Sequence, residues 1–306
     1  MKKVFMFSGQ GAQYVGMGKE FFDHSENAKN IFLKADDILG YKLSDIIFEN
    51  EEKLNDTLYT QVAMFTLYAA TLEVLKENNI EADFTCGLSL GEYGAMYYSN
   101  VFDFETGLNL LQKRGEFMNQ ACLATSGKMS AIIGLDSDIL LDIIENVSGY
   151  VKIANYNTYG QLVISGEENA VLKVNELALE QGAKRAILLN TSGPFHTELM
   201  KDASIKLGNY VAVLELDEPT KKLLLNTTGD FYDQENLKVE MPKQITSSVL
   251  FYQMIEKLLE QGVDTFIEIG PKKTLSGFVK KINRKLNIVN VEDMVSLNKT
   301  IAKLEE

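Results

Sequence analysis

The sequence predicts an α/β fold in which a smaller, differently ordered segment interrupts a larger domain. Three observations predict it. Residues 1–125 alternate short apolar runs with longer helical patterns, the stretch from 128 to 193 switches to the order βαββαβ, and the α/β pattern resumes beyond 197. No internal repeat, low-complexity tract or obvious linker is visible.

The first apolar run, 4–7, reads as a strand and is followed by helices over 19–39 and 61–78. Residues 84–86 read as a short buried strand, and Leu90–Tyr98 as a packed helix with glycines at 91 and 94. In the middle segment 129–135 reads as a strand and 139–147 as a helix. Strands over 151–154 and 161–165 flank the turn-rich Asn155-Tyr156-Asn157-Thr158-Tyr159-Gly160. A helix over 170–181 and a strand over 185–189 complete βαββαβ, a ferredoxin-like signature. Beyond it come a helix over 197–208, a strand near 223–226, a helix near 247–261 and the strand Thr265–Ile269. Gly270-Pro271 stops that strand before another helix. The expected domains are therefore a discontinuous large one, 1–126 with 195–306, and a small one, 127–194, with a cleft between them.

At 306 residues and 45% hydrophobic content the chain can bury a large core. Its formal charge of −13 argues against nucleic-acid binding, which needs a basic surface to neutralise phosphates. Lys2 and Lys3 precede an apolar run that stops at Ser8, too short for a signal peptide, and no segment reads as the roughly 20 apolar residues of a membrane span. Cys86 and Cys122 read as free thiols of a reducing compartment, so cytoplasmic residence is expected.

The chemistry centres on Gly87-Leu88-Ser89-Leu90-Gly91. A serine between two glycines, after an apolar strand and before a helix, describes a nucleophile elbow. The small flanking residues allow the strained turn that lifts the hydroxyl out of the fold. The Leu90 N–H then lies at a helix N-terminus, where donor and dipole can stabilise an oxyanion. The string alone also fits an ordinary turn. A serine nucleophile needs a base, and the chain offers only two histidines, His24 and His196. His24 sits where Asp23 or Ser25 begins a helix, a solvated position beside a cap. His196 follows Ser192-Gly193-Pro194-Phe195, which cannot be regular helix and exposes a side chain at a loop end. His196 is the candidate base, with a surface histidine near a helix start as the alternative.

Phe7-Ser8-Gly9-Gln10-Gly11-Ala12-Gln13, the elbow, Lys113-Arg114-Gly115, Gly127-Lys128-Met129, the segment 161–166, Pro194-Phe195-His196 and Glu268-Ile269-Gly270-Pro271 follow one another in order along nearly the whole chain. Together they resemble the malonyl-CoA:acyl carrier protein transacylase family. The resemblance implies a hydrolase-like α/β large domain with a parallel sheet and an inserted ferredoxin-like domain. It implies a two-step, ping-pong acyl transfer through Ser89, with His196 as base and then acid, in fatty acid biosynthesis. It also implies that a backbone carbonyl of Pro242-Lys243-Gln244 orients His196, so no acidic triad member is required, and that the Gln10 N–H joins that of Leu90 in the oxyanion hole. An ordinary Gly-rich turn remains the alternative for Gly9-Gln10-Gly11.

By the same resemblance Arg114 grips the free carboxylate of malonyl, a geometry that suits a planar guanidinium. The alternative is a surface arginine on an amphipathic helix. Phe195 has the malonyl-selective form, and Gln244 and Leu88 belong with the substrate pocket. Leu88 departs from the family pattern, which has histidine before the nucleophile, and this leaves the polarity of that pocket wall open. The expected partners are malonyl-CoA and the phosphopantetheine thiol of holo-acyl carrier protein, with no metal or redox cofactor. Carrier proteins of this kind are acidic, and Lys272, Lys273, Lys280, Lys281, Arg284 and Lys285 offer a local basic patch, or simply a solvated helix face. Competing readings are a trans-acting polyketide-type acyltransferase, an editing acyl hydrolase and a non-catalytic carrier-binding subunit.

Overall fold

A computed structural model describes residues 1–234 and 236–305 of the chain. Its strands are β1 (Lys3–Phe7), β2 (Phe84–Gly87), β3 (Gly127–Ile133), β4 (Val151–Thr158), β5 (Gln161–Glu167), β6 (Arg185–Leu188), β7 (Lys222–Leu223), β8 (Thr265–Ile269) and β9 (Asn287–Val291). The chain sorts into two compact units. The first comprises Met1–Gly115, Glu215–Leu225 and Glu256–Glu306, and the second Glu116–Leu214 and Asn226–Ile255.

The first unit is built on a five-stranded sheet in the order β7-β2-β1-β8-β9, with every neighbouring pair parallel. β1 is apolar from Val4 to Phe7, and β8 is buried throughout with Glu268 as its one charged residue, because a parallel strand inside such a sheet is covered on both faces. Val4, Phe5, Met6 and Phe7 are fully buried, as are Phe266, Ile267 and Ile269. The register pairs Phe7 with both Gly87 and Ile269. The three loops that follow these strands, beginning at Ser8, Leu88 and Gly270, therefore leave the same carboxyl edge, where open α/β sheets bind ligands.

The helix Thr57–Glu77 starts where the Asp56 side chain accepts from Leu58 N–H (2.9 Å). By length and composition it is apolar enough to cross a membrane, which corrects the expectation that no segment is. Of its apolar window 78% is buried in the protein, so its composition is that of a core helix. The expected helix over 19–39 is two helices, Lys19–His24 and Glu26–Leu39. Ser25 takes an extended backbone between them and caps the second by accepting from Ala28 N–H. The helices Leu43–Glu49, Leu237–Gln244 and Met294–Leu304, and β9, lie outside the expected elements. The expected helix over 197–208 is a 3₁₀ turn, Glu198–Met200, followed by the helix Lys201–Val211.

The second unit holds a four-stranded sheet in the order β4-β5-β3-β6, antiparallel throughout. The helix Ser137–Glu145 follows β3, and Glu168–Glu180 follows β5. Leu140, Val171 and Val174 from these helices pack with Ile132, Leu162 and Ile164 of the sheet in one apolar core. The unit is wider than 127–194. Val249 N–H donates to Ala154 O (2.8 Å) and Tyr156 N–H to Val249 O (2.9 Å), which fastens the segment around Val249 to the outer edge of β4.

Candidate active site

Ser89 lies between β2 and the helix Leu90–Tyr98 with φ 53° and ψ −105°, a strained backbone for a residue with a side chain. Two close approaches hold this elbow on the end of β1. Leu88 N–H donates to Phe7 O (3.0 Å), and a Cβ on Gly91 would collide with the carbonyls of Phe7 and Ser8. A Cβ on Gly9 would stand 2.8 Å from Leu88 O, so the Gly9-Gln10 backbone runs beside Leu88-Ser89. Leu90 is the first helical residue, and its N–H has no acceptor one turn back within the helix. Leu88 and Ser89 are half-buried.

Side chains on both flanks brace the loop after β1. Gln10 Nε2 donates to Thr57 Oγ1 (3.1 Å), Gly11 N–H to Gln13 Oε1 (2.7 Å), Gln13 Nε2 to Asn55 Oδ1 (2.9 Å) and Lys272 Nζ to Gly11 O (3.2 Å). Such preorganisation suits a backbone donor that must not relax during reaction.

Arg114, on the helix Phe104–Ala124, is only 1% exposed, which rules out the snorkelling surface arginine. Its Nη1 donates to Gln61 Oε1 (2.9 Å), and its guanidinium carbon lies 5.1 Å from the centre of the Tyr93 ring. Tyr93 belongs to the helix that the elbow opens, so the guanidinium packs against that helix. Burial pushes the Tyr93 phenol up to about 12, against the opposing pull of the Arg114 charge. Thr57, Gln61 and Tyr93 are the residues that the sequence reading misses. The available signal was polar side chains at i and i+4 in an otherwise apolar helix.

His196, in the second unit, is 4% exposed and also has positive φ, 61°. Phe195 N–H donates to Gly193 O (3.0 Å) and Thr197 Oγ1 to Pro194 O (2.6 Å), which knots the loop around it. Nδ1 lies 3.0 Å from Gln244 O and 3.1 Å from Ser247 O. Both partners are carbonyls, which only accept, so Nδ1 carries the hydrogen and Nε2 presents its lone pair. Gln244 ends the helix Leu237–Gln244, so one of the two acceptors is a carbonyl of the last helical turn, which has no partner further along the helix. His24 is exposed, with Nδ1 2.8 Å from Glu20 O of its own helix.

Phe195 and Gln244 are buried beside His196 in sequence and in bonding respectively. Lys272, Lys273, Lys280, Lys281, Arg284 and Lys285 are all exposed in and around the helix Thr274–Ile282. Among the described residues no group of three or more His, Cys, Asp or Glu is arranged to hold a metal ion. Cys86 and Cys122 are both free thiols.

A strained serine at a strand-to-helix elbow, beside a braced glycine loop, is the nucleophile arrangement of the acyl-transfer class of site. The family model of the acyl transferase domain matches residues 4–302. The malonyl CoA-acyl carrier protein transacylase of Bacillus subtilis is 43% identical over 310 residues, covering 100% of this chain and 98% of that protein. The crystal structure of the transacylase of the same name from Clostridium perfringens superposes with a TM-score of 0.96 at 43% identity, over 100% of this chain and 98% of the other. A malonyl-transacylase solved in complex with its type II polyketide acyl-carrier protein superposes with a TM-score of 0.94 at 31% identity, covering 99% of each chain. The chain belongs to the malonyl-CoA:acyl carrier protein transacylase family.

Proposed function

We propose that this chain transfers malonyl from CoA to the phosphopantetheine thiol of acyl carrier protein, in fatty acid biosynthesis, through a malonyl-Ser89 ester. Ser89 Oγ attacks the thioester carbonyl while His196 Nε2 takes its proton. The N–H groups of Leu90 and Gln10 receive the oxyanion. The C–S bond then breaks, and His196 returns the proton to the departing CoA thiolate. The carrier thiol repeats these steps on the ester and regenerates Ser89.

The observation that carries this reading is Arg114, a buried guanidinium bonded to Gln61 and stacked beside the helix of the Ser89 elbow. Burying such a charge is costly, and its rigid fork of donors matches a carboxylate, which a thioester substrate other than a dicarboxylic one does not offer. Phe195 and Leu88 each offer an apolar side chain to the substrate, and Gln244 contributes through its carbonyl. The exposed basic residues from Lys272 to Lys285 meet the acidic carrier. We read 127–194 as the ferredoxin-like insert of a hydrolase-like domain. Its support is the sheet order second-third-first-fourth within that segment.

Intact-protein mass spectrometry tests the proposal. Incubation with malonyl-CoA is expected to add one malonyl group to the protein, absent in Ser89→Ala, and holo-acyl carrier protein is expected to remove it and gain the same mass. Decay of the adduct to free malonate without loading the carrier would make the protein a hydrolase instead.

A further inference from the structure

The two acceptors that hold His196 belong to one short turn, and that turn is itself held by β4. Within it Thr246 N–H and Ser247 N–H both donate to Lys243 O (3.1 and 3.0 Å), which turns the carbonyls of Gln244 and Ser247 toward Nδ1. The turn begins at the last residue of the helix and has no strand ladder of its own. Its stiffness comes from outside. Lys152 Nζ, reaching from β4, donates to Thr246 O (3.3 Å), the carbonyl directly before that of Ser247, which His196 uses. Ser248 Oγ reaches the opposite way and donates to Ile153 O (2.6 Å), and the backbone pair at Val249 and Ala154 closes the attachment.

We infer that Lys152 is a positioning residue for the catalytic base: with Ser248 it locks the Gln244–Ser247 turn onto the edge of β4 and so fixes the tautomer and orientation of His196. This deepens the proposed function and rests on His196 being its base. The lysine is half-buried, and desolvation lowers its pKa while the Glu198 carboxylate opposes that shift. An ammonium withdrawn from water to satisfy one loop carbonyl is strong anchoring for that carbonyl, since bonds from charged donors exceed neutral ones.

With two histidines in the chain, ¹⁵N-histidine NMR reads His196 directly, and His24→Gln assigns the spectrum. The parent protein is expected to show His196 as a single Nδ1–H tautomer. In Lys152→Met the signal should broaden or move toward mixed tautomers, and the rate of Ser89 acylation at saturating malonyl-CoA should fall about 3–10-fold with KM unchanged, the loss of one anchoring bond. Lys152→Arg should restore both, and Ser248→Ala should reproduce the effect if Lys152→Met folds poorly. An unchanged tautomer and acylation rate in both Lys152→Met and Ser248→Ala would overturn the inference, as would failure of Arg to rescue. Full activity of His196→Ala would remove the base assignment, while the NMR arm would still report whether Lys152 orders the ring.

Discussion

Thr57 and Gln61 stand one helical turn apart on the helix Thr57–Glu77, and each holds a different part of the site: Thr57 Oγ1 accepts from Gln10 and Gln61 Oε1 from Arg114. A single helix face thereby spaces the candidate oxyanion donor from the candidate carboxylate reader. Both side chains are buried, so each hydrogen bond is withdrawn from water.

Arg114→Ala is expected to lower kcat/KM for malonyl-CoA by at least about 100-fold, the range for losing a bidentate charged contact in a buried site, while acetyl transfer changes little. Gln61→Leu, which keeps the volume but removes the acceptor, should give the same selectivity with about a tenfold loss. Parallel assays with the two acyl-CoA substrates decide the matter. Equal losses for both substrates would remove Arg114 from the carboxylate role.

Gly91→Ala should damage the elbow itself. The added methyl meets the Phe7 and Ser8 carbonyls, backbone atoms that cannot move without disturbing β1. The expected cost is about 1–3 kcal/mol in urea unfolding, the usual range for overpacking, together with loss of Ser89 acylation. A variant with unchanged stability and acylation would show that the elbow has more slack than its packing indicates.

The elbow, the first strands and the βαββαβ order were legible because each rests on local pattern: an apolar run, a glycine-flanked serine, alternating strands. The parts that were not legible depend on the fold. Thr57 and Gln61 look like incidental polar residues until Gln10 and Arg114 arrive from 47 and 53 positions away. Likewise Pro242 near the end of the helix Leu237–Gln244 disguises it as a loop, and Asn287 and Asn290 break the apolar pattern of the edge strand β9. The wider second unit follows from backbone bonds at Val249 that leave no trace in composition.

His196→Ala should slow acylation of Ser89 by about 10²–10⁴-fold, the contribution of a positioned base. Single-turnover acylation followed by quench and mass measurement isolates that step from carrier turnover. Because Nδ1 is committed to carbonyls, His196→Gln should not rescue the rate: its amide can imitate the bond to Gln244 but cannot accept and return a proton. Recovery by Gln would assign the residue a structural role.

Burial pushes the Cys122 thiol up to about 11 and the Cys86 thiol further. Each group therefore binds its proton more tightly in the folded state than at its ordinary value of 9.0. The stability this gives is complete below about pH 9 and drains away as pH rises toward 11. The urea midpoint should fall across that window, and fall less in Cys122→Ala. At pH 8 both thiols are neutral in the folded protein, so iodoacetamide should label them slowly until denaturant is added. Rapid labelling of the native protein at pH 8 would contradict the burial.

Exchanging Lys280 and Lys281 for glutamate tests the carrier surface. Both are exposed in the last turn of the helix Thr274–Ile282, and that helix is anchored at its start, where Glu268 accepts from Leu275 and Ser276 N–H (3.0 and 2.7 Å). Charge reversal at its far end therefore leaves the anchor and the Ser89 elbow untouched. Rim charges act mainly on association rate, so the double variant should show a higher KM for holo-acyl carrier protein, by about tenfold at low salt. The difference from the parent should shrink as ionic strength rises. Self-acylation by malonyl-CoA should be unchanged, since CoA needs no protein docking surface. A parallel loss of self-acylation, or a salt-independent defect, would place carrier docking elsewhere on the molecule.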